Sequence, residues 1–553
     1  MGSKAFAQEP GEIEKVEIEI IKNREVSVPQ ANRNFEKVPP RPAEPIKPQI
    51  TYQFSTISFN APDFNPAIRP LKLKTEPISK IYGNYVSAGL ANYGFPSPYA
   101  EAYITNKRNK NYYYGAKFYH RSFAKGPVDN GNSASGNTEF RLFGKAIGNG
   151  VAIGGFVDYD NTVSHFYGYK PGSNPSSSSI RQSYDVISFG AEIENTKASD
   201  FKYTLKSGYS NLTDHYSATE SEFYLGLPLE YKTGKDSRVI FNFDYQFMAR
   251  KDSKVSLNPR HIVRVKPAYQ FSPLDELTLK IGANVAYEND TIGKQKGLHV
   301  YPNLRGDYNF SSSVSVYAGL TGDVDKVSLH SLSRENNWVN SNINIYNTNR
   351  ALEFFGGLQG KIEGGFSFGL GASIASLKNL YFYQADTGNL NQAKFNVVYD
   401  NGSTQRTNLF GELGFVKSKF KLNLRADSWL YSSAIANQVV TEKGIVANFA
   451  SGALMRPSYR FTVSSSYNIV EKFLFEVDFI TQGGIKALDI EKTAAKLVTL
   501  SPAADLNLRA NYFVSKQATV FINCNNVLSS NYQLYYNYPV RGFQVLLGAS
   551  WNF

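Results

Sequence analysis

"RGFQVLLGASWNF" (residues 541–553) separates into two lists when it is read at every second position. Phe543, Val545, Leu547, Ala549, Trp551 and Phe553 fall on one side; Gly542, Gln544, Leu546, Gly548, Ser550 and Asn552 fall on the other. Period two is the mark of a strand, whose successive side chains point to opposite faces. One face here is apolar and ends on a Phe, and the other is mostly small or polar.

The same alternation runs from Ile81 to the end. Val239, Phe241, Phe243, Tyr245 and Phe247 alternate with Asn242, Asp244 and Gln246. Phe366, Phe368, Leu370 and Ile374 alternate with Ser367, Gly369, Gly371 and Ser373. Phe420, Leu422, Leu424 and Ala426 alternate with Lys421, Asn423, Arg425 and Asp427, and Phe473, Phe475, Val477 and Phe479 face away from Glu476 and Asp478. A soluble sandwich would turn the apolar face inward. A membrane barrel turns it toward lipid and lets the other face carry charge in a wet lumen.

Three features favour the barrel. The alternating runs are long, commonly about 11–14 residues, where an ordinary strand has about 5–6 and a tilted membrane-crossing strand needs about 9–11. Tyr and Phe crowd the ends of the runs, as in "NYYYGAKFY" and "YQLYYNYP", where aromatic girdles belong. Short turns alternate with long polar stretches. The turns fall near residues 106–110, 148–150, 197–200, 233–236, 272–275, 311–313, 361–364, 417–419, 470–472 and 515–517. Ten turns join eleven hairpins, so the reading is an all-β transmembrane antiparallel barrel of about 22 strands (18–22 as the bracket). The even count puts both barrel ends on the short-turn, periplasmic side. The last run closes on a first strand near Tyr82–Leu90, with its odd-numbered face on lipid.

Composition agrees. No run of about 18 apolar residues offers a transmembrane helix. The single Cys524 excludes an internal disulfide and a thiolate metal site. Net charge is +12; residues 1–78 hold 11 basic and 10 acidic side chains, which leaves +11 for the remainder.

The first 78 residues follow other rules. Ala5-Phe6-Ala7 before Gln8 has the form of a signal-peptidase site without a preceding apolar region, so residues 1–7 read as a signal-peptide remnant, with a chance A-x-A as the alternative. Residues 8–78 hold all 11 of the prolines found before residue 79, among 24 in the chain, and read as an extended Pro-rich N-terminal segment, periplasmic or luminal. Val16, Ile18 and Ile20 alternate with Glu17 and Glu19, enough for one strand that needs a partner edge, so residues 13–48 are a candidate docking segment for a periplasmic or envelope protein. Residues 79–553 form the barrel.

The C-terminal residues carry a family resemblance. Asn525, Asn526, Val527, Leu528, Tyr532, Pro539, Arg541, Gly542 and Phe553 resemble the last hairpin of TonB-dependent outer-membrane receptors. The resemblance implies a 22-strand barrel, residence in the outer membrane of a Gram-negative bacterium, and uptake or passage of a solute. It also implies that Trp551 and Phe553 form the signal read by the barrel-insertion machinery. Family members carry a plug domain of well over a hundred residues. The roughly 70 residues available here, rich in proline, resemble instead a plug-less type frequent in the Bacteroidota.

Site chemistry is sparse. His120, His165, His215, His261, His299 and His330 are scattered without metal spacing, no catalytic motif occurs, and no cofactor, metal or nucleic acid is expected. His165 beside Ser164, and His261, lack a second partner for hydrolysis, so the chain reads as a non-enzyme. Lys117, Arg121, Lys421, Arg425 and Arg509 occupy the non-lipid positions of their strands. They either make the lumen anion-selective or pair with Asp158, Asp244, Asp427, Glu476 and Asp478 across the wall. Basic loops would meet lipopolysaccharide phosphates. At a spacing of about 4.8 Å and a tilt near 40°, 22 strands enclose ~40–45 Å. The N-terminal segment, infolded loops or another chain must fill that hole. An inside filler suggests transport; an outside one suggests a structural barrel subunit of an assembly or secretion complex.

Overall fold

The computed structural model describes residues 83–553, apart from 107–108, 174, 291–296, 387–392, 401, 433–434, 441–445 and 491–494. The expectations placed on residues 1–78 lie outside the described residues. From the first strand on, the chain runs up and down. The elements are β1 (Tyr85–Ala91), β2 (Pro98–Thr105), β3 (Tyr112–Phe123), β4 (Ser135–Ile147), β5 (Val151–His165), β6 (Arg181–Asn195), β7 (Phe201–Asp214) and β8 (Thr219–Lys232). There follow β9 (Arg238–Lys251), β10 (Arg260–Leu274), β11 (Leu277–Glu288), β12 (Leu298–Asn309), β13 (Val314–Asp325), α1 (Leu329–Glu335), β14 (Thr348–Ile362) and β15 (Phe366–Lys378). After them come β16 (Tyr381–Ala385), β17 (Phe395–Tyr399), β18 (Ser403–Lys417), β19 (Phe420–Ser432), β20 (Ile435–Val440), β21 (Val446–Ser451), β22 (Tyr459–Ile469) and β23 (Phe473–Gly483). The last are β24 (Lys486–Ile490), β25 (Ala495–Thr499), β26 (Ala503–Phe513), β27 (Ala518–Asn525), β28 (Gln533–Tyr535), β29 (Tyr538–Pro539) and β30 (Gln544–Asn552).

Twenty-two of these strands make one antiparallel sheet; β16–β17, β20–β21, β24–β25 and β28–β29 are separate hairpins within long connections. The sheet closes on itself, with Tyr85 opposite Asn552 and Ala91 opposite Leu546. Closure removes both sheet edges, the condition for β-structure in lipid. The expected count, the closing pair and the common side of the two ends are all present. The ten short turns lie where the sequence put them or a few residues away. The hairpin near 361–364 turns at 363–365, where Gly365 adopts φ +92° and a Cβ would come within 1.9 Å of the Val416 carbonyl oxygen. A side chain there has neither the backbone conformation nor the room.

The faces follow the alternation. Val86, Leu90, Leu547 and Trp551 are exposed along the closing pair, while Ser87 and Leu546 between them are buried. Ile187, Phe189, Leu298, Val300, Leu370, Leu413 and Leu430 are also exposed, a density of bare large apolar side chains that a water-facing surface does not carry. β19 differs in one respect. Lys421, Asn423 and Arg425 are more exposed than Leu422 and Leu424. Leu424 is flanked in register by Leu413 and Val463. Aromatics gather at the short-turn end, where Phe366 packs on Phe415 at 4.4 Å and Phe473 on Tyr512 at 4.8 Å. "YQLYYNYP" is a correction to the girdle reading. Its Tyr538 is 2 % exposed inside the long connections, because stacking partners there bury more of the ring than an interface would.

Candidate functional site

The charged face of the barrel wall is largely paired. Lys117 meets Glu139 at 3.0 Å, Arg425 meets Asp427 at 2.8 Å and Glu412 at 3.2 Å, and Arg509 meets Asp478 at 3.5 Å. Asp158 takes Arg141 at 3.4 Å, and Asp244 takes Arg264 at 2.6 Å. Arg121 and Lys421 form no ion pair among the described residues. These pairs cancel local charge; the more exposed of them, such as Lys117–Glu139, are worth little individually, while Arg264–Asp244 is largely buried.

A long connection, residues 326–347 between β13 and β14, is tied onto the luminal side of this wall. Glu220 accepts from the His330 backbone N–H at 2.9 Å, Asp252 from that of Asn342 at 2.7 Å and Asp290 from that of Asn347 at 2.6 Å. Arg250 donates to the Ile343 carbonyl at 2.6 Å and Arg260 to the Val327 carbonyl at 2.9 Å. Glu222 pairs with Lys326 at 2.6 Å. Charges on the wall (Glu220, Arg250, Arg260) and just beyond its strand ends (Asp252, Asp290) thus satisfy main-chain groups of the connection. Their net stabilisation is far below the sum of the bonds, because Glu220 and Arg250 are almost wholly buried and give up solvation. What the bonds fix is position.

Apolar contacts supply the driving force. Ser328 caps α1 in a reciprocal box with Ser331, and the helix turns Leu329 and Leu332 into a cluster with Tyr184, Leu212, Phe395 and Tyr538. Trp338 stacks on Tyr538 with centroids 3.9 Å apart and meets Tyr167 edge-on at 5.6 Å. Burial pushes the Tyr538 hydroxyl well above its ordinary range, so it remains a donor, and it is bonded to the Ala393 carbonyl. Residues singled out by the family pattern tie down the neighbouring connection. Asn526 donates to the carbonyls of Ser530 and Arg541 at 2.8 and 2.7 Å, and Arg541 donates to the Ser135 hydroxyl at 2.7 Å. The connections therefore have a hydrophobic core of their own at the long-loop end. Trp551 is exposed on the outward face of β30, and the Phe553 backbone N–H donates to the Asn84 carbonyl at 3.0 Å.

Sequence reading missed this site. Glu220, Glu222, Arg250 and Arg260 share a face in register with Gln246 and Asp244, which alternation already marked as the polar face. The cap at Ser328 followed by Leu329 and Leu332 was the local signal. The scattered histidines also part company here, because His330 alone lies on α1. Burial lowers its pKa from the ordinary 6.5, partly offset by Glu222, while Arg334 and Lys326 lower it further and Asp160 raises it. Unfolding of α1 releases a histidine that binds a proton more readily. The contribution of neutral His330 is therefore full above about pH 6.5 and is lost as pH falls through that value toward the depressed one. Protease protection of residues 326–347 should weaken between pH 7.5 and 5.5. His330→Gln should flatten that dependence, and an equal pH response in the variant would remove His330 from the account.

No protein-family model and no curated protein matches the chain. Solved structures do. The FrpB iron transporter from Neisseria meningitidis (F5-1 variant) superposes with a TM-score of 0.64 at 10% identity, over 86% of this chain and 83% of its own. The pyoverdine outer-membrane receptor FpvA from Pseudomonas aeruginosa, bound to pyoverdine, gives 0.62 at 11% identity over 85% and 78%. The siderophore receptor PirA from Pseudomonas aeruginosa gives 0.58 at 9% identity over 85% and 80%. At such identities the likeness is one of fold. The chain has the fold of these outer-membrane receptor barrels, and its bare apolar belt is a surface suited to lipid.

Proposed function

We propose that this barrel takes a solute across the outer membrane in the manner of a TonB-dependent receptor, as a transporter and not an enzyme. The observation that carries the reading is the connection 326–347, seated by charged side chains on the luminal wall beneath a packed apolar core. A barrel whose filler comes from its own loops is organised around a guarded passage. Its structural neighbours are described as transporters and receptors, which supports the same class.

Residues 8–78 belong to the proposal as a Pro-rich extension in place of a plug, of the kind frequent in Bacteroidota, following a signal-peptide remnant at 1–7. Residues 13–48 would dock a periplasmic or envelope protein, basic loops would meet lipopolysaccharide, and Trp551 with Phe553 would be read by the insertion machinery. A strain lacking the protein, compared with the complemented strain, tests the function. The expected result is loss of uptake of at least one solute from a defined mixture, with the protein recovered alone in mild detergent. Unchanged uptake together with stoichiometric recovery of an envelope protein would favour the structural-subunit reading.

A further inference from the structure

Between α1 and the luminal faces of β3–β6 lies a cavity of about 370 Å³, continuous with one of about 250 Å³ through shared lining by Glu139, Asp160, His330 and Arg334. Volumes of this order suit a small-molecule ligand. Two guanidiniums line it. Neither Arg121 nor Arg334 forms an ion pair among the described residues, and the Arg121 Nε–H is buried without an acceptor. Arg121 lies over the Phe123 ring at 4.9 Å, and Arg541 lies over the same ring at 4.3 Å. Arg541 gives its hydrogens to neutral groups, the carbonyls of Lys125 and Ser133 and the Ser135 hydroxyl. Two cations thus share one ring with no carboxylate between them.

The acceptors at the cavity are of two kinds. Glu139 is engaged by Lys117 and by the Asn137 amide. Asp160 takes a hydrogen bond from the Thr162 hydroxyl at 3.2 Å and forms no ion pair among the described residues, and the Asn137 Oδ1 is buried without a donor. The buried Arg121 Nε–H, with the exposed Arg334 guanidinium lining the same cavity, therefore asks for an anion, and Asp160 and Asn137 ask for hydrogen-bond donors. Guanidinium recognises planar carboxylate and phosphate oxygens in pairs, and a carboxylate facing a hydroxylated carbon accepts its hydroxyls. We propose that this cavity binds a compact hydroxylated anion, a sugar acid or a sugar phosphate, with Arg121 and Arg334 on the anionic group and Asp160 and Asn137 on the hydroxyls.

The inference rests on the solute-uptake reading and names its substrate class. Calorimetric titration of the full chain in detergent with glucuronate, glucose 6-phosphate and neutral glucose tests it. One-site binding of an anionic sugar is expected, with glucose at least tenfold weaker; whichever of the two anions binds tighter identifies the preferred headgroup. Arg121→Gln and Arg334→Gln should each weaken the anion at least tenfold, and Arg121→Lys should restore part of the loss. Heat-modifiable gel mobility controls for folding. Glucose binding as tightly as glucuronate, no binding of either anion, or full affinity in both Gln variants would overturn the assignment. Uptake of some other solute by the complemented strain would then leave the transport reading intact. Anion binding without any uptake defect in the deletion strain would instead count against transport alone.

Discussion

Replacing Leu424 by Arg should cost the barrel about 2–4 kcal/mol, the penalty for a cation at the bilayer midplane on a lipid-facing strand position. Leu424 is near the middle of β19, opposite Leu413 on one side and Val463 on the other. Arginine there has no partner and a long reach to either interface. Asn423, its immediate neighbour, is on the opposite face, the one that carries Arg425 and Lys421 and that we read as luminal. Asn423→Arg should cost far less, within about 0.5 kcal/mol, as for a wetted surface position. Reversible folding into lipid vesicles under a urea gradient measures both. Equal costs would mean that the two faces have been exchanged.

Trp338→Ala should release the infolded connection and leave the barrel standing. The indole stacks on Tyr538 at 3.9 Å, and its Nε1–H donates to the His165 carbonyl at 3.0 Å. Tyr535 meets the indole edge-on at 5.7 Å. Truncating a ring so placed forfeits about 3–5 kcal/mol of packing. That loss falls on the seat of residues 326–347, whose remaining ties are the other apolar side chains of the cluster, Leu329 and Leu332 among them, and the charges around Glu220 and Arg250. Among the described residues no hydrogen bond of the 22-stranded sheet involves Trp338, whose carbonyl accepts from the Phe395 N–H of the separate hairpin β16–β17, so gel mobility of the unheated protein should be unchanged. Proteinase K added to vesicles should cut within 326–347 in the variant and spare the wild type. Protection that survives the substitution would show that the indole is not what seats the connection, and collapse of the barrel would show that the connection is part of its framework.

Strand count and facing were legible because each strand carries its own record. "VIFNFDYQF" states by alternation alone which side is greasy, and a short turn must follow when the run ends. The closing pair was legible for the same reason, since Leu547 and Trp551 share a face with Val86 and Leu90. The seat of the loop was not. Arg250 reaches Ile343 across 93 positions of sequence, and Glu220 reaches His330 across 110. In sequence those charges look like rim residues, and in residues 336–347 only Ile343 and Ile345 alternate with Asn342 and Asn344, too short a run to place the segment. "YQLYYNYP" misled for a related reason. Aromatic density marks either a membrane interface or a packed core, and only the partners, here Trp338 and Tyr167, distinguish them. Alternation put the bases Lys117, Arg425 and Arg509 on the polar face of their strands, but their carboxylate partners depend on register between strands, which alternation does not supply.

Closure of one barrel with its polar face inward underlies every step from wall to loop to cavity, and a cross-link between the first and last strands tests it most directly. Ser87 stands opposite Ser550, and both share the inward face beside the outward pair Val86 and Trp551. With Cys524→Ser removing the native thiol, Ser87→Cys and Ser550→Cys should oxidise to a disulfide within one chain. Ser87→Cys with Trp551→Cys, one residue off and on opposite faces, should not. A disulfide-closed chain that keeps altered mobility after boiling, reversed by reductant, is the predicted result. No cross-link at Ser87 and Ser550, or equal cross-linking in the offset pair, would contradict the closed barrel.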